Sequence, residues 1–407
     1  MKVAIIGQML NKNYSNRISG GIQTVERLHV RIFLEAGWEV FFIASKESEN
    51  FNDKVKFCLT DTLSLESAGD NLTRAEKSAN SKKSSKEIRS LISEIQPDLI
   101  INHSFSSSHT RLTADLSEKI PSLGFVHNLP DTAMDIGVIA KVQHYLSMTK
   151  SGGALVCVSE YQRNLWRTAL RKRISSGGDS FNFLDESMID VIYDKFYYPI
   201  YVEKQEVQAN DKYFISISRP DPIKNVSKLL ELLKDLDYKL HLFLAHPGAL
   251  TDNEYYNEKI KPYLTSNVEV HHNAPRQDLL DCLSNAAGCF IPCTVEAAPV
   301  ALLEAGSYGV PSIVFAKERN GQVDHAANYL LGRDNVTLVN ISDKEDLSKR
   351  FDEVIKKVSL TSLDDRIKLR DITYTKHSLK NRYDDLLKIS KDIMDKYTTK
   401  KSLLQFN

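Results

Sequence analysis

The stretch G-C-F-I-P-C-T-V-E-A-A-P-V-A-L-L-E-A-G-S-Y-G-V-P-S-I-V-F, residues 288–315, decides how the chain folds. It opens on an apolar run over 288–291, passes through a short loop and enters a helix over 299–308. Pro299 stands where proline is favoured, at a first helical position. A second apolar run follows at 311–315. Strand, helix and strand at this spacing form a crossover unit, which implies a parallel sheet covered by helices.

Working outward, the same alternation continues upstream. A strand begins at Tyr213, followed by a helix over 225–234, strands over 239–245 and 267–271, and a helix over 276–286. The first half of the chain alternates in the same way. Lys2–Gly7 is an apolar run, and Ile22, Val25, Leu28, Ile32 and Phe33 recur at helical spacing until Gly37 stops them. Further strands lie at 38–44, 97–102, 121–127 and 154–159, the last entering a helix at Glu160. Residues 62–93 are polar and read as a solvated helix or a loop, and 171–187 read as a long loop. The irregular stretch 190–210 parts the two runs. The expected class is therefore α/β, with two doubly wound parallel-sheet (Rossmann-like) domains facing a central cleft, 1–200 and 201–375.

Composition is consistent with this and excludes much else. The 407 residues carry 53 basic and 53 acidic side chains, so no global field attracts nucleic acid or anionic lipid. With 42% hydrophobic and 26% charged residues, the chain is neither fibrous nor mostly disordered. Its five cysteines, Cys58, Cys157, Cys282, Cys289 and Cys293, are odd in number and lack C-x-x-C spacing, which argues against a disulfide framework or a zinc finger. The run after Lys2 is too short for a signal peptide, and no stretch of about 18 apolar residues spans a membrane. The expected location is cytoplasmic, with peripheral contact at an inner membrane face, or a host cytoplasm for a phage protein, as variants. Asn71 and Asn335 head chance glycosylation sequons.

Ligands of doubly wound sheets sit beyond the carboxyl ends of the strands, so polar residues there are the candidates. Arg219 and Lys224, in S-R-P-D-P-I-K-N, follow the strand from Tyr213 and suit a diphosphate; otherwise they are solvated cations. Glu296 and Glu304 flank the helix start. Glu304 lies between Leu302, Leu303 and Ala305, where a charge needs a partner. Gly20-Gly21 opens a helix and lets backbone approach a phosphate, though it is a weak signal alone. His103 and His127 end strands of the first domain, where a lone histidine is more often structural. No His/Glu pair at i,i+4 accompanies them to hold a metal. Asp235-Leu236-Asp237 is a turn between helix and strand. Arg163, Arg167 and Arg171, continued by Lys172 and Arg173, form a basic stripe if helical, with Tyr161, Trp166 and Phe181 near enough to stack on a base. Lys82, Lys83, Lys86 and Arg89 read as a solvated face.

Together these residues resemble the retaining GT-B glycosyltransferases of family 4, the glycosyl transferases group 1. The resemblance rests on E-x7-E from Glu296 to Glu304 with A-G-S-Y-G-V-P-S-I-V behind it and on S-R-P-D-P-I-K-N. It rests also on G-G-I-Q-T-V-E-R-L with A-G-W-E-V, and on P-D-L-I-I-N-H-S, V-H-N-L and V-C-V-S-E-Y-Q. The chain departs from the family in having E-A-A-P for E-G-F-G, and Asn225 and Ser218 for glycines. The resemblance implies that Arg219 and Lys224 hold the donor diphosphate and that Glu304 binds the ribose. Glu296, with Ala297, Ala298, Pro299 and Val300, would hold the donor sugar. Gly20 and Gly21 would reach the phosphates across the cleft, His127 would stand by the reacting sugar, and 270–273, with His271 and Asn273, would flank the base. His103, Arg163, Arg167 and Arg171 are the weaker acceptor-side candidates. The last helix, within 376–407, would return to the first domain.

The implied activity is metal-independent retaining transfer from a nucleotide sugar, a UDP-sugar first, to a hydroxyl of a saccharide or lipid-linked glycan. No cofactor and no obligate protein partner are expected; the nucleotide sugar is a co-substrate. The alternatives are transfer to hydroxymethylated bases of DNA, a sugar-nucleotide epimerase, and a non-catalytic binding or scaffold subunit.

Overall fold

The computed structural model describes residues 1–7, 21–45, 52–60, 73–103, 107–127, 129–130, 152–175, 197, 200–208, 213–246, 248–319, 322–343 and 345–405. They fall into two compact units. The first runs from Met1 to Tyr197 and resumes at Arg382, and the second runs from Ile200 to Asn381.

Unit 1 contains, in order, β1 (Lys2–Ile6), α1 (Gly21–Glu35), β2 (Glu39–Ser45), β3 (Lys56–Thr60), α2 (Arg74–Ile95), β4 (Leu99–Asn102), α3 (Ser107–Leu116), β5 (Ser122–Val126), β6 (Gly153–Cys157) and α4 (Glu160–Ser175). Its strands lie in the order β3-β2-β1-β4-β5-β6, and every pairing is parallel. Val3, Ala4, Ile5 and Ile6 are all fully buried, as a strand covered on both faces requires. Gly37, at φ +75, closes α1. Of the polar segment 62–93, residues 62–72 lie outside the described residues, and residues 74–93 belong to α2. Thr73 and Glu76 form a capping box at its start, and Ile88, Ile92 and Ile95 bury an apolar stripe beneath its charged surface. α4 reaches Ser175, so residues 171–175 are helical and not part of a loop as the sequence implies; Ser159 caps its start, accepting from Gln162 N at 3.1 Å. The remainder of 171–187, with Phe181, lies outside the described residues.

Unit 2 contains β7 (Tyr213–Ser218), α5 (Val226–Leu233), β8 (Lys239–Leu244), β9 (Val268–His272), α6 (Arg276–Asn285), β10 (Gly288–Ile291), α7 (Val300–Ser307), β11 (Ser312–Arg319), β12 (Gln322–Asp324), α8 (Ala326–Leu331), β13 (Thr337–Asn340), α9 (Leu347–Ser359) and α10 (Leu363–His377). The sheet runs β9-β8-β7-β10-β11, with β13 parallel to β11 and the short β12 antiparallel to its end. Apart from that hairpin, both units repeat the strand order 3-2-1-4-5-6 of dinucleotide-binding sheets. A final helix, α11 (Leu379–Gln405), begins in unit 2 and from Arg382 onward belongs to unit 1. There it buries Leu386, Ile389 and Ile393, and the Tyr397 hydroxyl donates to Glu118 O at 3.3 Å.

The stretch that opened the sequence reading divides into two jobs. Its glycines serve packing. A Cβ on Gly306 would come 2.5 Å from the Thr373 hydroxyl of α10, and one on Gly309, at φ +70, would come 2.4 Å from the Arg366 carbonyl. Leu302, Leu303 and Ala305 are fully buried, so truncating either leucine would cost about 2–5 kcal/mol. What remains facing outward is Glu304.

Candidate donor site

In strand order 3-2-1-4-5-6 the chain turns in opposite directions from the first and fourth strands, leaving a crevice beyond their carboxyl ends. In unit 2 these strands are β7 and β10. The chain leaves β7 at Ser218 and passes Arg219 into a single 3-10 turn, Pro222–Lys224, capped by Asp221, which accepts from Ile223 N at 3.0 Å. Asn225 then takes a left-handed conformation, φ 51, before α5. That conformation explains why the resembling family has glycine here and why asparagine can replace it. Its Nδ2 also donates to Pro292 O at 3.2 Å, tying this turn to the loop after β10.

That loop carries Glu296, which forms an ion pair with Lys224. Both side chains are about four-fifths buried, with 20% and 23% exposure. Burial disfavours the ammonium, but the Glu296 carboxylate, by its charge and its hydrogen bond, outweighs it and raises the Lys224 pKa. The loop is braced from below. The Cys293 thiol lies 3.2 Å from Ile223 O, and His325 Nε2 lies 3.1 Å from Cys293 O. His325 Nδ1 accepts from Ala327 N, so Nε2 carries the proton and donates. Burial, then Glu296, pushes the Cys293 thiol up to about 12, so it stays a neutral brace.

Glu304, 14% exposed on α7, pairs with Arg276 at the start of α6. Arg219 is mostly exposed and lies 3.9 Å from Asp221. Ala297 and Pro299 are buried and Ala298 and Val300 partly so. Pro299 offers α7 no side-chain cap, and the first N–H groups of a helix are the ones that can turn to an anionic ligand. His271 lies on the sheet surface of β9, its ring stacked on Phe243 at 4.4 Å. Asn273, at φ 48, accepts from His246 N at 3.0 Å and donates to His246 O at 2.7 Å, joining the loops that follow β8 and β9.

The corresponding crevice of unit 1 holds histidines. His103 follows β4 and His127 follows β5, and a third, His29 on α1, completes a chain. His103 Nδ1 lies 3.1 Å from His127 Nε2, and His103 Nε2 lies 3.0 Å from His29 Nδ1. Burial lowers the pKa of all three, that of His127 to about 4, so each ring is neutral near pH 7. A neutral ring carries one proton, so the whole chain of hydrogen bonds runs in one direction. Gly7, beyond β1, leaves room for the Phe42 ring, which a Cβ would meet at 2.4 Å.

Gly21 opens α1, while Gly20 lies outside the described residues. The basic stripe on α4 is not uniformly solvated. Arg163 is 13% exposed and lies 3.5 Å from Glu160, Arg167 is partly buried, and Arg171 is exposed. Tyr161 and Trp166 are buried at 2% and 3%, so they are core residues and not stacking surfaces. Arg276, His29, Cys293 and His325 are absent from the sequence-based candidates.

Sucrose-phosphate synthase from Thermosynechococcus elongatus matches the chain with a TM-score of 0.70 at 13% identity, over 97% of this chain and 99% of that one. The fold is GT-B. Two further GT-B structures agree. The trehalose-6-phosphate structure from E. coli bound with UDP-2-fluoro glucose has a TM-score of 0.66 at 10% identity, over 97% and 99% of the two chains. HepE from Anabaena in complex with UDP-glucose has 0.62 at 14%, over 96% and 99%. Residues 199–368, which span the crevice of unit 2, match the sequence model of the family glycosyl transferases group 1. No curated protein sequence matches the chain. The family match and the GT-B fold support a nucleotide-sugar glycosyltransferase. Among the described residues, no helix is long and apolar enough to cross a membrane.

Proposed function

We propose that the chain is a retaining glycosyltransferase of family 4, transferring a sugar from a UDP-sugar to a hydroxyl of a saccharide or lipid-linked glycan. The observation that carries this reading is the paired charge at the β7/β10 crevice, Lys224 with Glu296 beside the uncapped start of α7. Such a site offers cations and N–H groups to a diphosphate and carboxylates to sugar hydroxyls. The neighbour that binds UDP-glucose supports a uridine donor.

The chemistry follows from where charge develops. The bond between the anomeric carbon and the diphosphate breaks, leaving positive charge on the sugar and negative charge on the phosphate. Arg219, Lys224 and the α7 N–H groups stabilise the latter, as a preorganised electrostatic site does, and a metal is not needed for that step. The acceptor oxygen bonds to the anomeric carbon on the face the phosphate leaves, and its proton passes to a phosphate oxygen. The configuration is retained without a protein nucleophile. Glu304 accepts from the ribose hydroxyls and Glu296 from the donor sugar, each exchanging part of its present cationic pairing for them. The 270–273 segment flanks the base. His127 in unit 1 is assigned to the reacting sugar.

Thermal unfolding without metal, against UDP, GDP, ADP, TDP and a panel of UDP-sugars, tests the reading. Binding at 100 times Kd would stabilise the fold by about 2.7 kcal/mol. The expected result is stabilisation by the uridine series, lost in Lys224→Ala and Glu304→Ala. Parent-like binding by both variants would remove the site assignment, and no shift with any nucleotide would favour a scaffold. Incubating the identified donor with saccharides and with hydroxymethylated DNA then separates the acceptors.

A further inference from the structure

At the edge of the second sheet three side chains converge, His241, Glu269 and His271, of which only His271 belongs to the 270–273 segment assigned above to the base. In the parallel register of β8 and β9, His241 stands opposite Glu269 and Phe243 opposite His271. Residues 241, 243, 269 and 271 share one face, because side chains alternate along a strand. Leu240, Leu242, Val268 and Val270 pack into the core on the other. His241 Nδ1 lies 2.9 Å from His271 Nε2 and 3.7 Å from Glu269 Oε2, and His271 Nε2 lies 3.5 Å from Glu269 Oε1.

We propose that His241, Glu269 and His271 form a binding site for a divalent transition-metal ion of the zinc class. One ligand atom from each residue can be chosen so that all three lie within 4.8 Å of one another. Tetrahedral ligands at about 2.0–2.1 Å from zinc stand about 3.4 Å apart; the two ring nitrogens are 2.9 Å apart, and Glu269 turns Oε2 to His241 at 3.7 Å and Oε1 to His271 at 3.5 Å, so a small rotation of its exposed carboxylate completes the set. Two imidazoles and one carboxylate are a ligand set that zinc accepts, with the fourth position left to water. The rings are held in place in advance. His241 lies 4.5 Å from the Tyr213 ring and stacks on His271 at 5.2 Å, and His271 stacks on Phe243. Glu269 is 53% exposed, which gives the ion an entry path. The competitor for the carboxylate is Lys239, 3.9 Å from Glu269 Oε2. An ion here would clamp the edge strand β9 to β8, the strand that pairs with β7.

The test uses the full chain, free of any affinity tag and stripped with EDTA. It is titrated with CoCl2 followed by visible absorption and with ZnCl2 followed by calorimetry. One ion per chain is expected, with a higher melting temperature in zinc. His241→Ala and His271→Ala should abolish binding, and Glu269→Gln, at a half-exposed position, should weaken it at least about tenfold. Lys239→Met should tighten it, and Lys224→Ala should leave it unchanged. Circular dichroism checks that each variant folds. If a histidine variant does not fold, Glu269→Gln and Lys239→Met decide. Absence of cobalt absorption and zinc heat in the parent chain, or parent-like affinity in Glu269→Gln, would overturn the site.

Discussion

The two units of this chain share a strand order and place their polar residues at the same topological point, yet they fill it with opposite chemistry. Unit 2 sets ammonium, guanidinium and carboxylate groups there, as the pairs Lys224–Glu296 and Arg276–Glu304. Unit 1 sets three neutral imidazoles there, linked His29–His103–His127, against Phe125 and Tyr197. Topology fixes where a ligand can be met, and the side chains fix which one. A site of paired charges exchanges its internal partners for those of an ionic ligand at little desolvation cost. A site of neutral, buried donors and acceptors suits an uncharged hydroxylated one.

The largest expected effect breaks the comparison from the charged side. On the proposed mechanism Lys224→Ala removes a cation from the developing diphosphate charge, and it leaves Glu296 without its salt-bridge partner. On the scale of a lost transition-state hydrogen-bond donor, kcat/KM should fall about 100- to 1,000-fold, with loss of nucleotide affinity in calorimetry. His127→Ala should lower turnover while nucleotide affinity stays parent-like. If His127→Ala weakens nucleotide binding as much as Lys224→Ala does, the division of labour between the units fails.

A second difference appears in pH dependence. The unfolded chain takes up protons on histidine below about pH 6.5, while the rings of unit 1, His29 and His103 fully buried and His127 partly so, remain neutral, His127 until about pH 4. Between those values the unfolded state binds more protons, so stability rises with pH and is lost on acidification. For His127 alone the window is worth about 3 kcal/mol. Lys224 behaves oppositely. Its folded pKa lies above the ordinary 10.5, so its contribution is present below that value and lost as pH rises through the folded one. Urea unfolding at several pH values between 4.5 and 7.5 should show the slope, and His127→Gln should flatten it. A flat parent profile would mean that the rings are charged in the native state.

How much of this was legible in the sequence follows the same division. Glu296, Glu304, Arg219 and Lys224 stand out because each lies on a short segment whose strand-to-helix transition is local. Arg276 does not, since its pairing with Glu304 depends on α6 and α7 lying side by side. His29 hides among the apolar positions of α1, where periodicity reads only a buried face. His241 and Glu269 are brought opposite by strand register, which no linear spacing encodes. The basic stripe of α4 is the converse case: its period is helical as read, but burial of Tyr161 and Trp166 turns the adjacent aromatics into core. Residues 171–175 look like loop because their polar composition masks a helix that α4 simply continues.

The smallest effect sharpens the comparison at Asn225, one of the unit 2 residues that stand where the resembling family has glycine. Asn225 holds φ 51, and its Nδ2 joins the Lys224 turn to Pro292 O at 3.2 Å. Asn225→Gly relieves the left-handed strain but loses that hydrogen bond and loosens the unfolded chain. The relief offsets one of the two losses, each term being about 0.5–1 kcal/mol, so urea unfolding should show a net loss of about 0.5–1 kcal/mol. Asn225→Ala keeps the strain and loses the bond, and should cost about 1–2 kcal/mol. The stabilities should therefore order Ala below Gly, with Gly below the parent. The donor KM should instead rise in both variants, because both untie the loop bearing Lys224 from the loop bearing Glu296. A KM that follows stability, rising for alanine alone, would mean that the tie serves the fold and not the charge pair.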